Sequence, residues 1–216
     1  MDSYSLLPVW IIHFLISGSL HELGHAWTAR RLGDNTAELQ GRITLNPAAH
    51  VDPMGLIVLV VTSLMGFGFG WMKPVPVSPW NLANPRRDLM LISAAGPMTN
   101  ILQAVFWAAI FGVLASNPAT VALAGRLEPF FQVAIFLNVI LAAFNLLPVP
   151  PLDGFSVAHG LLPAIPAARF YNFMRTYGPL IFIAILVVPQ VRALTLYPLM
   201  GLVNGLVQLA ARGFGA

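Results

Sequence analysis

Long apolar runs separated by short polar stretches dominate the chain. A helix that crosses a bilayer needs about 20 mostly apolar residues at a rise of about 1.5 Å per residue. Six runs reach or approach this length, namely 6–27, 54–70, 89–115, 129–150, 178–191 and 197–211. The pattern predicts an all-α polytopic membrane protein with five or six membrane segments, folded as a single domain over residues 1–216.

The run 54–70 differs from the others because it is short and ends in three glycines, Gly66, Gly68 and Gly70. Irregular backbone at membrane depth is tolerated only where protein surrounds it. We therefore expect this run to enter and leave the membrane at the same face, as a re-entrant segment. A full span is the alternative.

Composition supports a membrane location and narrows the chemistry. Hydrophobic residues make up 57% of the chain and charged residues 9%, against about 25% charged in soluble domains. This scarcity of charge excludes a cytosolic enzyme, a nucleic-acid-binding protein and a disordered chain. The chain has no cysteine, so a metal site would have to use histidine and carboxylate ligands.

The positive charges predict an orientation. If 54–70 re-enters, nine basic residues share one side of the membrane and only Arg126 and Arg192 lie on the other. Basic residues favour the cytoplasmic side, so the larger group is expected there. The group is Arg30, Arg31, Arg42, Lys73, Arg86, Arg87, Arg169, Arg175 and Arg212. A full span at 54–70 would remove this asymmetry.

The first apolar run contains a polar pentapeptide, His21-Glu22-Leu23-Gly24-His25. Positions i and i+4 of a helix differ by about 40° around its axis, so the two imidazoles can converge on one ion. In zinc hydrolases this H-E-x-x-H pattern provides two ligands and a carboxylate base. Ionisable groups at membrane depth are costly and are therefore candidates for function.

A hydrolytic zinc site normally has three protein ligands, and Asp153 is the candidate for the third. It directly follows the run 129–150, in a proline-rich stretch where Gly154 permits a turn. If 54–70 is re-entrant, the runs 6–27 and 129–150 both cross the membrane in the direction of the cytoplasm. Their ends then lie at the same side, so the aspartate can meet the two histidines.

These motifs resemble the site-2 protease family, peptidase family M50, whose members are intramembrane zinc metalloproteases. The resemblance rests on His21–His25 together with Asn145–Gly154, and it extends over about residues 15 to 160. Further stretches are similar to the compact bacterial branch, namely 45–47, 50–53, 70–77 and 95–100. Larger relatives carry a PDZ-type or nucleotide-sensing domain, for which this chain has no room.

The resemblance implies that His21, His25 and Asp153 bind one zinc ion per chain, with Glu22 as the catalytic base. It also implies cleavage of peptide bonds in or beside transmembrane segments of other membrane proteins, in a bacterial cytoplasmic membrane. Asn145 would lie near the substrate or the oxyanion. Asn100, which interrupts an apolar helix, is a second candidate for that role, although a hydrogen bond between helices accounts for it equally well.

A small β element is expected beside the site. Residues 38–45 alternate polar with small or apolar residues, which predicts a half-buried strand, and Asn46-Pro47 would end it. Such a strand could hold an unwound substrate by strand addition. An irregular surface loop is the alternative.

A different class of function uses the same site. Intramembrane ionisable residues often mark ion pathways, so the two histidines and Asp153 could belong to a metal transporter or a non-proteolytic metal-binding protein. Glu22 distinguishes the two hypotheses, because a hydrolase needs a general base beside the ligands and a transporter does not.

Overall fold

The structure is a computed structural model, and it describes residues 6–64 and 68–211. Within those residues the fold is helical, and the one β feature is an isolated bridge between Val51 and Met72. The described residues form eight α-helices, namely α1 (Leu7–Arg31), α2 (Thr36–Leu39), α3 (Pro53–Leu64), α4 (Pro85–Ser116), α5 (Val121–Asn145), α6 (Asp153–Leu161), α7 (Ala164–Val187) and α8 (Pro189–Ala211).

Within the described part of the chain, three helices, α4, α5 and α7, are long and apolar enough to cross a membrane. They support an integral membrane protein, as predicted. The boundary between the last two helices differs from the prediction, which placed a break between 191 and 197. α7 ends at Val187 and α8 begins at Pro189, and the first position of a helix is one that proline favours. Pro198 lies inside α8.

The chain around α3 returns to the point from which it departs. α3 has 12 residues, a length of about 18 Å, whereas the hydrocarbon core of a bilayer is about 30 Å thick. The Lys73 backbone N–H donates to the carbonyl oxygen of His50 at 2.8 Å, next to the Val51–Met72 bridge. This is the geometry that a re-entrant segment requires. Membrane re-entry of 54–70 stays a prediction, and Gly66 lies outside the described residues.

The strand predicted over 38–45 is wrong. Residues 36–39 form α2, and Gly41 turns the chain with a φ of 67°. The apolar side chains that a half-buried strand would cover are exposed, Leu39 at 85% and Leu45 at 71%, whereas Arg42 is 3% exposed. The alternation in the sequence therefore does not reflect burial. The segment is held by polar contacts that a hydrophobic pattern does not report.

Helix α4 is the centre of the fold, because α1, α5, α6 and α8 all pack against it. One apolar cluster joins α4, α5 and α8, and its members include Ala104, Val139, Ala142 and Val203. Small side chains at such contacts let helix backbones approach closely. A separate cluster that includes Ala29 and Ile92 packs the C-terminal half of α1 against α4, close to the start of α6.

Candidate metal centre

Two histidines on one face of α1 form the first half of the site. His21 and His25 lie one turn apart and are 7% and 8% exposed. Their Nε2 atoms are 3.0 Å apart, and the ring planes are nearly perpendicular at 85°. The i, i+4 spacing therefore directs both imidazoles to one point, as the sequence predicted.

Asp153 reaches the same point from another part of the chain. It is the first residue of α6, after the non-helical stretch that follows α5. Its Oδ2 atom lies 3.2 Å from Nε2 of His21 and 3.3 Å from Nε2 of His25. Gly154 permits this approach, since a Cβ there would collide with the carbonyl oxygen of Leu146. Among the described residues, these three form the group suited to hold a metal ion.

The three atoms fit a shared cation. Two ligand atoms of a tetrahedral zinc ion, each about 2.0–2.1 Å from the metal, are about 3.3 Å apart. The observed separations of 3.0–3.3 Å match that spacing. Apart from its contacts with the two rings, the buried Oδ2 of Asp153 has no hydrogen-bond partner. A cation at this point would satisfy that oxygen.

The other nitrogen of each ring is held in place by α4. The Nδ1 atom of His25 lies 2.7 Å from the carbonyl oxygen of Ile92, and Nδ1 of His21 lies 2.6 Å from Oδ1 of Asn100. Both oxygens accept hydrogen bonds, so each Nδ1–H donates. Each Nε2 then presents its lone pair to the site, which is the arrangement that metal-binding histidines use.

Gly96 of α4 forms the wall beside the two imidazoles. A Cβ at this position would lie 2.6 Å from Nε2 of His21 and would also collide with Nε2 of His25. The sequence Gly96-Pro97 therefore has a steric role. Only glycine leaves room for both ligand atoms.

Glu22 lies beside the three ligands and is not one of the group. Its Oε2 accepts a hydrogen bond of 3.1 Å from the backbone N–H of Val75. Arg42 secures the same loop, because its guanidinium donates to the carbonyl oxygens of Lys73 and Pro74. Burial lowers the pKa of the Arg42 guanidinium, and the negative charge of Glu22 opposes this shift. Carboxylate, loop and guanidinium thus form one assembly at the edge of the site.

Comparison with known proteins identifies the family. The model described as peptidase family M50 matches residues 113–189. A protein of Bacillus subtilis (strain 168) named "Putative zinc metalloprotease YwhC" is 38% identical over 187 residues, which cover 86% of this chain and 83% of that protein. The chain belongs to peptidase family M50. This confirms the resemblance seen in the sequence and makes the protein a metallopeptidase.

Two mycobacterial proteins, each named "Putative zinc metalloprotease Rip2", are also similar. The one from Mycolicibacterium smegmatis (strain ATCC 700084 / mc(2)155) is 34% identical over 190 residues, covering 83% of this chain and 66% of that protein. The one from Mycobacterium tuberculosis (strain ATCC 25618 / H37Rv) is 36% identical over 149 residues, which cover 68% of this chain and 54% of that protein. No solved structure matches the chain.

The two asparagines predicted near the substrate or oxyanion occupy different environments. The Asn145 side chain is half-buried at the end of α5 and donates to the carbonyl oxygen of Leu141 at 2.9 Å. The Asn100 side chain is fully buried behind His21. That position suits an interhelical hydrogen bond better than contact with substrate.

Sequence reasoning missed two residues that support the site. The sequence marks Arg42 only as an orientation signal, because its contacts with the 73–74 carbonyls have no local sequence pattern. The second residue, Asn138, interrupts an apolar run of α5 and is fully buried. An amide in the middle of such a run was a usable signal, because buried polar side chains in membrane helices normally have partners.

Proposed function

We propose that the protein is an intramembrane zinc endopeptidase that hydrolyses peptide bonds in or near transmembrane segments of other membrane proteins. The observation that carries this proposal is the convergence of His21, His25 and Asp153 beside Glu22, within a bundle of membrane-type helices. Family membership supplies the reaction class.

One zinc ion per chain would be held by the two Nε2 atoms and Oδ2 of Asp153. Zinc is favoured because the donor set of two imidazoles and a carboxylate suits it and because the relatives are named zinc metalloproteases. When bound, zinc supplies a Lewis acid for the peptide carbonyl and makes hydroxide available near neutral pH.

Glu22 is the group that moves the proton. Its position next to His21 on α1 and the hydrogen bond from the Val75 N–H to one of its oxygens support this role. It takes a proton from the attacking water and then delivers it to the nitrogen that leaves. The hydrogen bond with Val75 also keeps the base from rotating away.

A substrate helix has its backbone hydrogen bonds paired internally, so the scissile stretch must unwind before attack. The strand that was expected to hold it at 38–45 is not formed. The non-helical backbone that borders Glu22 is instead the loop 73–77, which Arg42 holds through the carbonyls of Lys73 and Pro74. We propose that an unwound substrate segment lies between this loop and the metal ligands.

The expected location is a bacterial cytoplasmic membrane with the site towards the cytoplasm. The support is the distribution of basic residues together with the apolar helices α4, α5 and α7. Partners are the lipid bilayer and membrane-protein substrates. The composition argues against nucleic acid.

The decisive experiment replaces the base and keeps the ligands. Glu22→Gln should slow cleavage of a model transmembrane substrate in detergent or liposomes by about 10²–10⁴-fold, while the purified variant keeps its zinc. The matched control is Glu38→Gln, a carboxylate on α2 that pairs with Arg30 at the surface, and it should cleave normally. Cleavage by Glu22→Gln at the native rate would contradict the protease mechanism. Zinc uptake into vesicles by both proteins would then favour a transporter.

A further inference from the structure

A chain of buried amides leads from the metal ligand His21 to α5. Asn100 and Asn138 are both fully buried, and Nδ2 of Asn100 donates to Oδ1 of Asn138 at 2.9 Å. Nδ2 of Asn138 in turn donates to the carbonyl oxygen of Ala134 and to Oγ of Ser17, both at 2.9 Å. Three helices, α1, α4 and α5, thus share one hydrogen-bond network at the level of the site.

The direction of every bond in this network follows from one backbone group. The carbonyl oxygen of Ala134 can only accept, so Asn138 must turn its NH₂ group towards it and its Oδ1 towards Asn100. Asn100 must then turn its NH₂ group towards Asn138 and its Oδ1 towards His21. A weaker contact of 3.4 Å from Nδ2 of Asn100 to the Ser17 carbonyl oxygen has the same polarity.

The orientation of the Asn100 amide decides which nitrogen of His21 carries the proton. With Oδ1 facing the ring, Nδ1 is protonated and Nε2 offers its lone pair to the site. A flipped amide would present NH₂ to Nδ1, and the proton would move to Nε2, where it would block metal binding. Partners of this kind typically change metal affinity by about 10–100-fold when they are removed.

We propose that Asn138 is a positioning residue for metal binding, which sets the tautomer of His21 through the side chain of Asn100. Asn138 is not one of the metal-binding group and acts only through its neighbour. The inference rests on the metal site proposed above. The two can fail separately, because absence of zinc binding by the wild-type protein contradicts the site, whereas the variants below test only Asn138.

The test measures zinc affinity by competition with a chelating dye in detergent. Asn138→Leu should weaken zinc binding by about 10–100-fold. If Asn138→Leu does not fold, the same measurement is made on Asn138→Ala. Val139→Ala is the control, since Val139 is also buried on α5 but belongs to an apolar cluster. It should lower thermal stability and leave zinc affinity unchanged.

Two further measurements separate positioning from a general loss of structure. In an Asn100→Ala background, the Asn138 substitution should have no additional effect on zinc affinity. In the zinc-loaded protein, the His21 Nδ1–H proton that faces Oδ1 of Asn100 at 2.6 Å, assigned by its change in Asn100→Ala, should give a far-downfield NMR signal in the wild type and move upfield in Asn138→Leu. Unchanged zinc affinity or an unchanged His21 Nδ1–H signal in the Asn138 variant, an additive effect, or equal weakening by Val139→Ala would overturn the proposal.

Discussion

Helix α1 contains two buried histidine environments that differ in almost every respect except burial. His21 and His25, near its C-terminal end, have a partner for each ring nitrogen. His13, two turns before His21 and about 80° around the axis, is fully buried but has no hydrogen-bond partner on either nitrogen. Its neighbours are the aromatic rings of Trp107 at 5.6 Å and Phe130 at 4.5 Å.

The difference teaches that burial alone does not identify a functional histidine in a membrane helix. The ligand pair is recognised by what lies behind the rings, namely an amide oxygen and a backbone carbonyl that fix Nδ1–H. His13 lacks both and contributes as a ring packed against other rings. Substitutions around the ligand pair should therefore weaken metal binding, whereas substitutions at His13 should not. Both kinds of substitution should have similar effects on folding.

Among substitutions outside the ligands themselves, the largest effect is expected at Gly96, whose nearest neighbours are the two ligand imidazoles. Gly96→Ala would place a methyl group 2.6 Å from Nε2 of His21 and against Nε2 of His25, so the ligand atoms cannot keep their positions. Zinc affinity should fall by at least about 100-fold, by analogy with the loss of a ligand's support. The zinc content of the purified protein, measured after dialysis, reports this loss of affinity.

Gly125 provides the matched control, because a Cβ there meets no atom within 4 Å. Gly125→Ala is also within a helix, where alanine is favoured over glycine by about 1 kcal/mol. It should keep full zinc binding and show equal or higher stability. Normal zinc content in Gly96→Ala would mean that the site is not where the geometry places it.

The sequence predicted the site better than it predicted the connections. Helical period alone places His21 and His25 on one face, and the proline-rich break after α5 directs Asp153 towards them. The structure brings these three together. The strand prediction for residues 38–45 is wrong because Leu39 and Leu45 are exposed to solvent, while Arg42 is buried.

An amide within an apolar run indicates a buried hydrogen bond, but the sequence does not show which residues it joins. Asn100 and Asn138 are linked across α4 and α5, and Gly96 matters only through its distance to the imidazoles. Each depends on how helices distant in sequence are rotated against one another. Helix packing, unlike helical period, is not encoded in any one segment.

An intermediate effect is expected at Asp34, a buried polar group at the end of α1 that is fully partnered but not part of the site. Its carboxylate accepts hydrogen bonds from Thr36, Ser78 and Asn81. Asp34→Ala should reduce the free energy of unfolding by about 2–3 kcal/mol, as measured by denaturant titration in mixed micelles. Glu38→Ala, which removes a surface ion pair with Arg30, should cost less than about 1 kcal/mol.

The same carboxylate gives a pH dependence with a defined sign. Burial alone would raise the pKa of Asp34, but the hydrogen bonds from Thr36, Asn81 and Ser78 outweigh burial and lower it. Because the folded pKa is the lower one, the stabilisation is fully present above the ordinary carboxyl pKa of about 4. It is lost as the pH falls through the folded value. The stability difference between wild type and Asp34→Ala should therefore shrink in acid, and a constant difference would contradict this account.

The smallest effect on stability and zinc affinity is expected at His13, the buried histidine of α1 that is not a metal ligand. His13→Phe replaces an unpartnered ring with an apolar ring in a pocket already lined by Trp107 and Phe130. An unsatisfied buried polar group costs about 1–3 kcal/mol, so removing it should leave the free energy of unfolding unchanged or raise it by about 1 kcal/mol. Zinc affinity should not change, whereas His21→Phe should abolish it. A tenfold loss of zinc affinity in His13→Phe would show that the two environments are coupled along α1, and that burial among aromatic rings does not isolate His13 from the metal ligands.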